Sequence, residues 1–322
     1  LDGIYNKLER NRREPLLGSI IKPKCGLSNE QFAELTYDSM LGMYEEHQVD
    51  GVDFVKDDEA LSSQDAFGSD FYNRVTLTLE KVKRVEDITG RKKIYIPNIT
   101  HSNIFESVRR AEFVVRSGGS AAMIDYVISG GANLDSIRRQ NLDLIIHGHR
   151  TLFAAMHRPS DFGIHYRVWA KIFRMVGGDQ VHSGTPELGV MSSNSADVIE
   201  VCSIVANDSQ ISTDRFNIDW GVTNTKSCLP ICGAGLDLTA VAPLTKKLGA
   251  NVAIFAGGGV HGHPEGTRAG ASSMRSAANA VLEKMDLQNF VSTRKLPFLD
   301  LAYSHFLEFD KQSPNKVPRG MM

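Results

Sequence analysis

Short apolar, β-branched runs alternate along the chain with longer segments whose apolar positions recur at helical spacing. This is the pattern of βα units feeding a parallel sheet. The first run is Leu16 to Ile21. Ser28 and Gln31 then form a capping box, with Phe32, Leu35, Met40 and Met43 on a helical period. Val52 to Val55 opens a second unit whose helix runs from Phe71 to Thr89, closed by Gly90. Ile94 to Ile96, stopped by Pro97 and Asn98, leads to an amphipathic segment from Ile104 to Val115. Ala121 to Ile124 and Leu142 to Ile146 are the fourth and fifth runs, the latter followed by a helix from Tyr166 to Met175. Gln180-Val181, Ser227 to Ile231 and Asn251 to Phe255 complete the set, with helices from Ala196 to Ala206, Leu238 to Leu248 and Ser272 to Lys284.

Eight strand-then-helix units over residues 16–285 predict an α/β fold, a (β/α)8 TIM barrel of the roughly 250-residue kind. Periodicity does not report closure, so an open doubly wound sheet stays open at this point. Residues 1–15 read as a lead-in and 286–322 as a helical or irregular tail, fraying near Lys311, Lys316 and Pro318.

Composition narrows the function. The 36 Lys+Arg against 38 Asp+Glu give a formal net charge of -2, which argues against an electrostatic grip on nucleic acid or an anionic membrane. No apolar run approaches the ~20 residues that span a bilayer, and no signal peptide opens the chain. Cys25, Cys202, Cys228 and Cys232 make no disulfide framework, and the four-residue step from Cys228 to Cys232 suits neither a zinc knuckle nor a redox motif. Reduced thiols in a cytoplasmic protein are expected. The chain starts at Leu1 without an initiator Met and reads as a processed or truncated piece.

What terminates each apolar run carries the chemistry. Run one ends Lys22-Pro23-Lys24, run two Lys56-Asp57-Asp58-Glu59, and run five His147-Gly148-His149-Arg150. Run six is followed by His182-Ser183-Gly184-Thr185, run seven by Gly233-Ala234-Gly235 and run eight by Gly257-Gly258-Gly259. In a barrel all these ends converge on one rim, where active sites sit. Asp58 and Glu59 are hard oxygen donors suited to Mg²⁺. A lysine beside them repels a metal unless it is neutral or modified; reaction of Lys56 with CO2 would make a carbamate, a third anionic ligand and a base. Lys22 and Lys24 fall on one face of an extended strand, where they would hold an enediolate or phosphate. His147 and His149 share a face; proton transfer suits His149, and core packing is open for His147. The glycines after runs seven and eight suit backbone contact with a phosphate, with Arg150 and His182 as a second anion site across the mouth.

These residues, in this order, resemble the large-subunit barrel of ribulose-bisphosphate carboxylase (RuBisCO) and its RuBisCO-like relatives. The resemblance rests on Gly18-Ser-Ile-Ile-Lys-Pro-Lys24, Gly51-Val-Asp-Phe-Val-Lys-Asp-Asp-Glu59 and His147-Gly-His-Arg150. Gly177-Gly-Asp-Gln-Val-His-Ser-Gly-Thr185 and Ala256-Gly-Gly-Gly-Val-His-Gly-His-Pro264 complete it. It covers residues 12–285 and looks closest to archaeal, form III-type sequences around 97–100 and 257–270. It implies a carbamylated Lys56 with Asp58 and Glu59 around Mg²⁺, the carbamate abstracting a proton beside a ketose carbonyl. Lys22 and Lys24 match the lysines that protonate or polarise the intermediate, and His149 the proton-transfer histidine. Arg150 and His182 match one phosphate site; Gly235, Gly257 and Gly258 match the other.

Departures shape the expectation. The family's loop lysine that stabilises the CO2 adduct falls, in the best match, on Val190. The serine usual after strand seven is Gly233, about eight extra residues (Met43 to Asp50) precede the metal-ligand strand, and the family's N-terminal α+β domain is expected to be absent, since the resemblance begins near residue 12. Enolisation needs the metal, carbamate and proton-transfer groups but not the loop lysine. The expectation is therefore a RuBisCO-like enolase or isomerase acting on a phosphorylated keto-sugar, in a homodimer or larger homo-oligomer, with a separate chain as one source of the missing domain. A carboxylase of archaeal type and a non-catalytic module retaining the barrel are the alternatives.

Overall fold

Along each strand, successive side chains enter two different apolar environments, and this alternation builds the molecule. The computed structural model describes residues 1–61, 70–157, 161–188, 194–207 and 225–312. The strands are β1 (Leu16–Ile20), β2 (Phe54–Lys56), β3 (Ile94–Ile96), β4 (Ala121–Asp125), β5 (Ile145–His149), β6 (Gln180–His182), β7 (Leu229–Gly233) and β8 (Ala253–Phe255). Leu16, Phe54, Ile94, Ile96, Met123, Ile145, Leu229, Ile231 and Phe255 form one buried cluster inside the ring of strands. Their neighbours Leu17, Val55, Tyr95, Ile124, Ile146 and Ile254 belong to a second cluster beneath the surrounding helices.

All neighbouring strands pair in parallel, in the order β3-β2-β1-β8-β7-β6-β5-β4. The two ends of that order meet. Asn98 bridges Met123, Ile99 N–H donates to Met123 O at 3.0 Å, and Met123 N–H donates to Pro97 O at 2.8 Å. The sheet is a barrel, as expected, and the open alternative is excluded. Ring closure is tight: a Cβ at Gly18 would lie 2.5 Å from the Phe255 ring, so β1 and β8 approach only because residue 18 has no side chain.

The helices are α1 (Asp2–Leu8), α2 (Asn29–Leu41), α3 (Phe71–Thr89), α4 (Ile104–Arg116), α5 (Tyr126–Arg138), α6 (Tyr166–Met175), α7 (Ser195–Ala206), α8 (Val241–Leu248), α9 (Thr267–Leu282), α10 (Leu287–Arg294) and α11 (Pro297–Gln312). Ser28 and Gln31 make the reciprocal capping box at the start of α2, and Gly90 closes α3 with φ 64°. The chain departs from the sequence reading in three places. Helix α5, between β4 and β5, carries no periodic signal because Gly130 breaks its helical geometry with φ 79°. Strands β2, β4, β5, β6 and β7 extend beyond their apolar runs into the polar residues that follow. And β1 stops at Ile20, so Lys22 and Lys24 sit on a bend rather than on one face of a strand.

The lead-in is part of the packing. Ile4, Tyr5 and Leu8 of α1 join the interior cluster and close the end of the barrel where the strands begin, Tyr5 Oη donating to Ala250 O at 3.2 Å. Beneath it lies a buried ionic network. Asp53 accepts from Arg275 at 2.6 Å and from Arg10 at 3.1 Å, and its other oxygen takes the Leu17 N–H at 2.9 Å. Asp50 pairs with Lys93 at 2.8 Å and Arg10 at 3.1 Å. At the other terminus, Phe298, Leu299, Ala302 and Phe306 of α11 enter the outer core, so the tail packs on the barrel at least to residue 306. Lys316 and Pro318, and the side chain of Lys311, lie outside the described residues.

The extra segment before β2 is also folded. Met43 pairs with Val49 in an antiparallel bridge around a short helical turn, Tyr44–His47. Ser272 Oγ of α9 accepts from Met43 N–H at 2.7 Å, and Arg268 reaches Gly42 O, Glu45 and Glu46. Among the described residues no helix is long and apolar enough to cross a membrane.

Candidate active site

Period two decides which polar residues reach the mouth. Continuing the inward series Phe54, then Lys56, puts the lysine on the barrel axis, 1% exposed. The same parity carries Asp125 after Ala121 and Met123, His147 and His149 after Ile145, and His182 after Gln180. These side chains converge above the apolar floor.

The acids that follow Lys56 separate into two functions. Asp57 turns away into the core, accepting from Tyr95 Oη at 2.6 Å, Arg74 at 3.0 Å and Asn98 N–H at 2.9 Å. Asp58 and Glu59 face the mouth. Lys22 Nζ lies 2.7 Å from Asp58 Oδ2, and Lys56 Nζ lies 3.8 Å from Glu59 Oε2. Lys56 Nζ also donates to Asp57 O at 2.8 Å and sits 3.5 Å from Met123 Sδ. Partial burial alone would raise the Glu59 carboxyl, but Lys56 and His149 outweigh it and hold the group down to about 2.

His149 is fixed from below. Its Nδ1 meets Thr151 Oγ1 at 2.5 Å and Asp125 Oδ1 at 3.4 Å, leaving Nε2 toward Glu59 Oε2 at 3.6 Å. Asp125 is fully buried and itself anchored by Asn98 Nδ2 at 3.1 Å and by Thr100 Oγ1 on its N–H at 2.8 Å. The sequence reading passed over Asp125 because the fourth apolar run ends one residue earlier. Its parity with Ala121 and Met123 was the available signal.

Three histidine rings meet edge to face beside this group, His147 to His182 at 4.9 Å and His182 to His149 at 4.7 Å between centroids. The His182 backbone carbonyl takes the Tyr166 hydroxyl, and the Arg150 guanidinium lies over the Tyr166 ring at 4.8 Å. A Cβ at Gly184 would stand 3.2 Å from Arg150, and one at Gly233 3.3 Å from the His182 ring. Glycine at 233 thus leaves room for the His182 ring beside β7. Across the mouth, Gly257 faces the Lys22 stem, its absent Cβ 3.3 Å from Lys22 Cε, and Gly235 turns the β7 loop with φ 65°. Gly258 begins a single helical turn, Gly258–His261. Lys24 is exposed and lies outside this group. Val190 lies outside the described residues.

Burial, then neighbouring cations and imidazoles, holds His147 and His182 well below the usual histidine range. Neither ring nitrogen of His147 has a hydrogen-bond partner among the described residues. An unfolded chain takes up these protons below pH ~6.5 while the folded one does not, so stability present above that pH is lost as pH falls. His147→Leu, which also removes two unpaired buried nitrogens, is expected to leave stability at pH 7.5 unchanged or higher. It should shrink the loss between pH 6.5 and 5.5 by about 1 kcal/mol, read from urea melts at both values.

Asp58 and Glu59 supply two hard oxygen donors, and among the described residues no set of three His, Cys, Asp or Glu side chains converges for a metal. Two carboxylates are donors of the kind Mg²⁺ takes, and a carbamate on the neighbouring Lys56 would add a third oxygen ligand.

Residues 2–306 match the family described as ribulose bisphosphate carboxylase large chain, catalytic domain. A ribulose bisphosphate carboxylase of Methanocaldococcus jannaschii is 39% identical over 292 residues, covering 89% of this chain and 65% of that protein. Among solved structures, a dimeric archaeal Rubisco from Hyperthermus butylicus superposes with TM-score 0.82 at 31% identity, over 94% of this chain and 67% of that one. A rubisco-like protein from Burkholderia fungorum gives TM-score 0.78 at 27% identity, over 94% and 68%. The chain spans about two thirds of the length of the relatives it matches.

Proposed function

The chain belongs to the ribulose bisphosphate carboxylase large-chain family, and from that premise we propose that it enolises a phosphorylated keto-sugar through a carbamylated Lys56 beside Mg²⁺. The observation that carries this reading is a pair of ion-paired groups from adjacent acids at the mouth: Asp58 with Lys22, and Glu59 with both Lys56 and His149. Asp58, Glu59 and a carbamylated Lys56 would hold Mg²⁺, which would supply Lewis-acid polarisation of a substrate carbonyl.

The remaining work falls to the chain's own groups. Lys56 lies on the barrel axis, where a carbamate on its nitrogen would be placed to take the proton from the carbon beside the ketose carbonyl. Lys22 would face the developing enediolate oxygen, and Lys24 would reach it only by turning in from the exposed bend. His149, its ring held by Thr151 and Asp125, presents Nε2 to the reacting carbons and shuttles the proton between them. Arg150 and His182 receive one phosphate. Gly235, Gly257 and Gly258 receive the other through backbone N–H groups, where side chains would block approach.

Carboxylation is the second reading, favoured by the names of the relatives. With Val190 where the family carries its loop lysine, the CO2 adduct loses a charged stabiliser, a loss of roughly 3–4 kcal/mol in the transition state. Incubation with ribulose 1,5-bisphosphate, Mg²⁺ and bicarbonate in D2O separates the readings. Deuterium entering beside the carbonyl with no acid-stable ¹⁴C product from labelled CO2 is the expected result. Labelled product makes the chain a carboxylase, and absence of exchange with this and other phosphorylated ketoses removes the enolisation reading.

We also place the chain in a homodimer or larger homo-oligomer, as in the dimeric H. butylicus relative. Val168, Ile172 and Met175 form an exposed apolar row along α6 that suits a covered surface.

A further inference from the structure

Each carboxylate oxygen of Asp58 has a partner within the chain. Its Oδ1 accepts the Ala60 N–H at 3.0 Å, and its Oδ2 holds Lys22 Nζ at 2.7 Å, with Asp58 buried and Lys22 about one-third exposed. The Lys22 stem reaches this position along Gly257, whose missing side chain leaves the room: a Cβ there would stand 3.3 Å from Lys22 Cε and 3.6 Å from Cγ. The cation position at Asp58 is thus taken by a residue of the chain itself, lodged in a berth that glycine provides.

We propose that Lys22 is a built-in occupant of the cation position at Asp58, which a divalent metal must displace, and that this displacement frees Lys22 Nζ for substrate. The inference rests on the enolisation reading above and adds an order of events to it. At rest the formal charges of Lys22 and Lys56 match those of Asp58 and Glu59, and the cluster has no demand for a further cation. When the Lys56 nitrogen bonds to the carbon of CO2, two protons leave to solvent and an ammonium becomes an anionic carbamate. The cluster is then short by the two positive charges that one Mg²⁺ supplies. Lys22 stays available as a counter-charge but gives up Asp58 Oδ2, because a doubly charged ion bound there repels the Lys22 ammonium and outcompetes it for the carboxylate. Metal loading and release of the substrate-facing lysine become one event, so an unmodified, metal-free chain presents substrate with a lysine that is tied down.

Calorimetric titration of MgCl2, with and without bicarbonate, tests this on the wild-type chain, Lys22→Met and Lys22→Arg. Lys22→Met is expected to bind Mg²⁺ roughly three- to tenfold more tightly, the weight of a charge-assisted bond discounted for partial exposure. Lys22→Arg, which keeps the competing charge, is expected to stay near wild type. Wild-type or weaker affinity in Lys22→Met overturns the inference and leaves the metal reading intact. Absence of Mg²⁺ binding in all three chains with bicarbonate present removes the metal reading and the inference with it.

Discussion

Replacing Lys56 with Met or Arg is expected to abolish substrate–solvent proton exchange, by on the order of 10³-fold or more. Lys56 has no substitute in the mouth. Its amine is the one lysine nitrogen on the barrel axis among the described residues, buried against Met123 Sδ and the Asp57 carbonyl. Met matches its length and apolar stem but cannot take up CO2. Arg keeps the charge facing Glu59 yet cannot form the carbamate at neutral pH. If the lysine acted only as an ion-pair partner, Arg would retain much of the activity while Met would not. Loss in both variants, with far-UV dichroism and melting temperature near wild type, is the result expected of a modified lysine. The measurement is NMR-detected deuterium entry into ribulose 1,5-bisphosphate, and ¹³C-bicarbonate should give a carbamate resonance in the wild-type chain alone.

Much of this architecture was legible in the sequence because barrel strands are apolar where they cross the core. Ile94–Ile96, the α3 boundaries and the Ser28–Gln31 box were read to the residue. The strand ends were not, for a physical reason. The last inward residues of β2, β4, β5 and β6 are Lys56, Asp125, His149 and His182, polar because they form the mouth rather than the floor. A reading based on apolar runs stops where the site begins. That truncation hid Asp125, although the alternation it belongs to starts at Ala121.

Helix α5 escaped for a different reason, since Gly130 and Gly131 interrupt both propensity and amphipathic period. The acidic cluster shows how far type and position carry an assignment. Lys56-Asp57-Asp58-Glu59 marks a site, but only the Tyr95, Arg74 and Asn98 partners reveal that Asp57 belongs to the core. Likewise the pairing of Lys22 with Lys24 depends on an extended strand, whereas β1 ends at Ile20, two residues before Lys22 and four before Lys24.

The largest stability effect is expected at the opposite end of the barrel, from Asp53→Ala. Asp53 is fully buried and joins three separate pieces of chain: Arg10 from the lead-in, Arg275 from α9 and the Leu17 N–H of β1. Burial alone raises its carboxyl, yet Arg275 and Arg10 more than offset this, so its pKa ends below the usual value. Removing the carboxylate leaves two buried guanidinium groups with Asp50, already engaged by Lys93, and Glu14, 3.6 Å from Arg10, as the acids of the network. Breaking one side of such a buried pair costs about 3–5 kcal/mol, because the surviving charges stay desolvated. For a chain of this size that lowers the melting temperature by on the order of 5 °C. Asp53→Asn keeps the shape and one acceptor oxygen, so a smaller loss is expected, which separates charge from packing. The sign with pH follows from the depressed carboxyl: the stabilisation is complete above the unfolded-state value near 4 and is lost as pH falls below it. The gap between wild type and Asp53→Ala should therefore be constant from pH 8 to 5 and narrow only in stronger acid. A gap that is absent at pH 7, measured by chemical denaturation, would show that the network contributes nothing net and that the apolar plug of α1 alone closes the barrel.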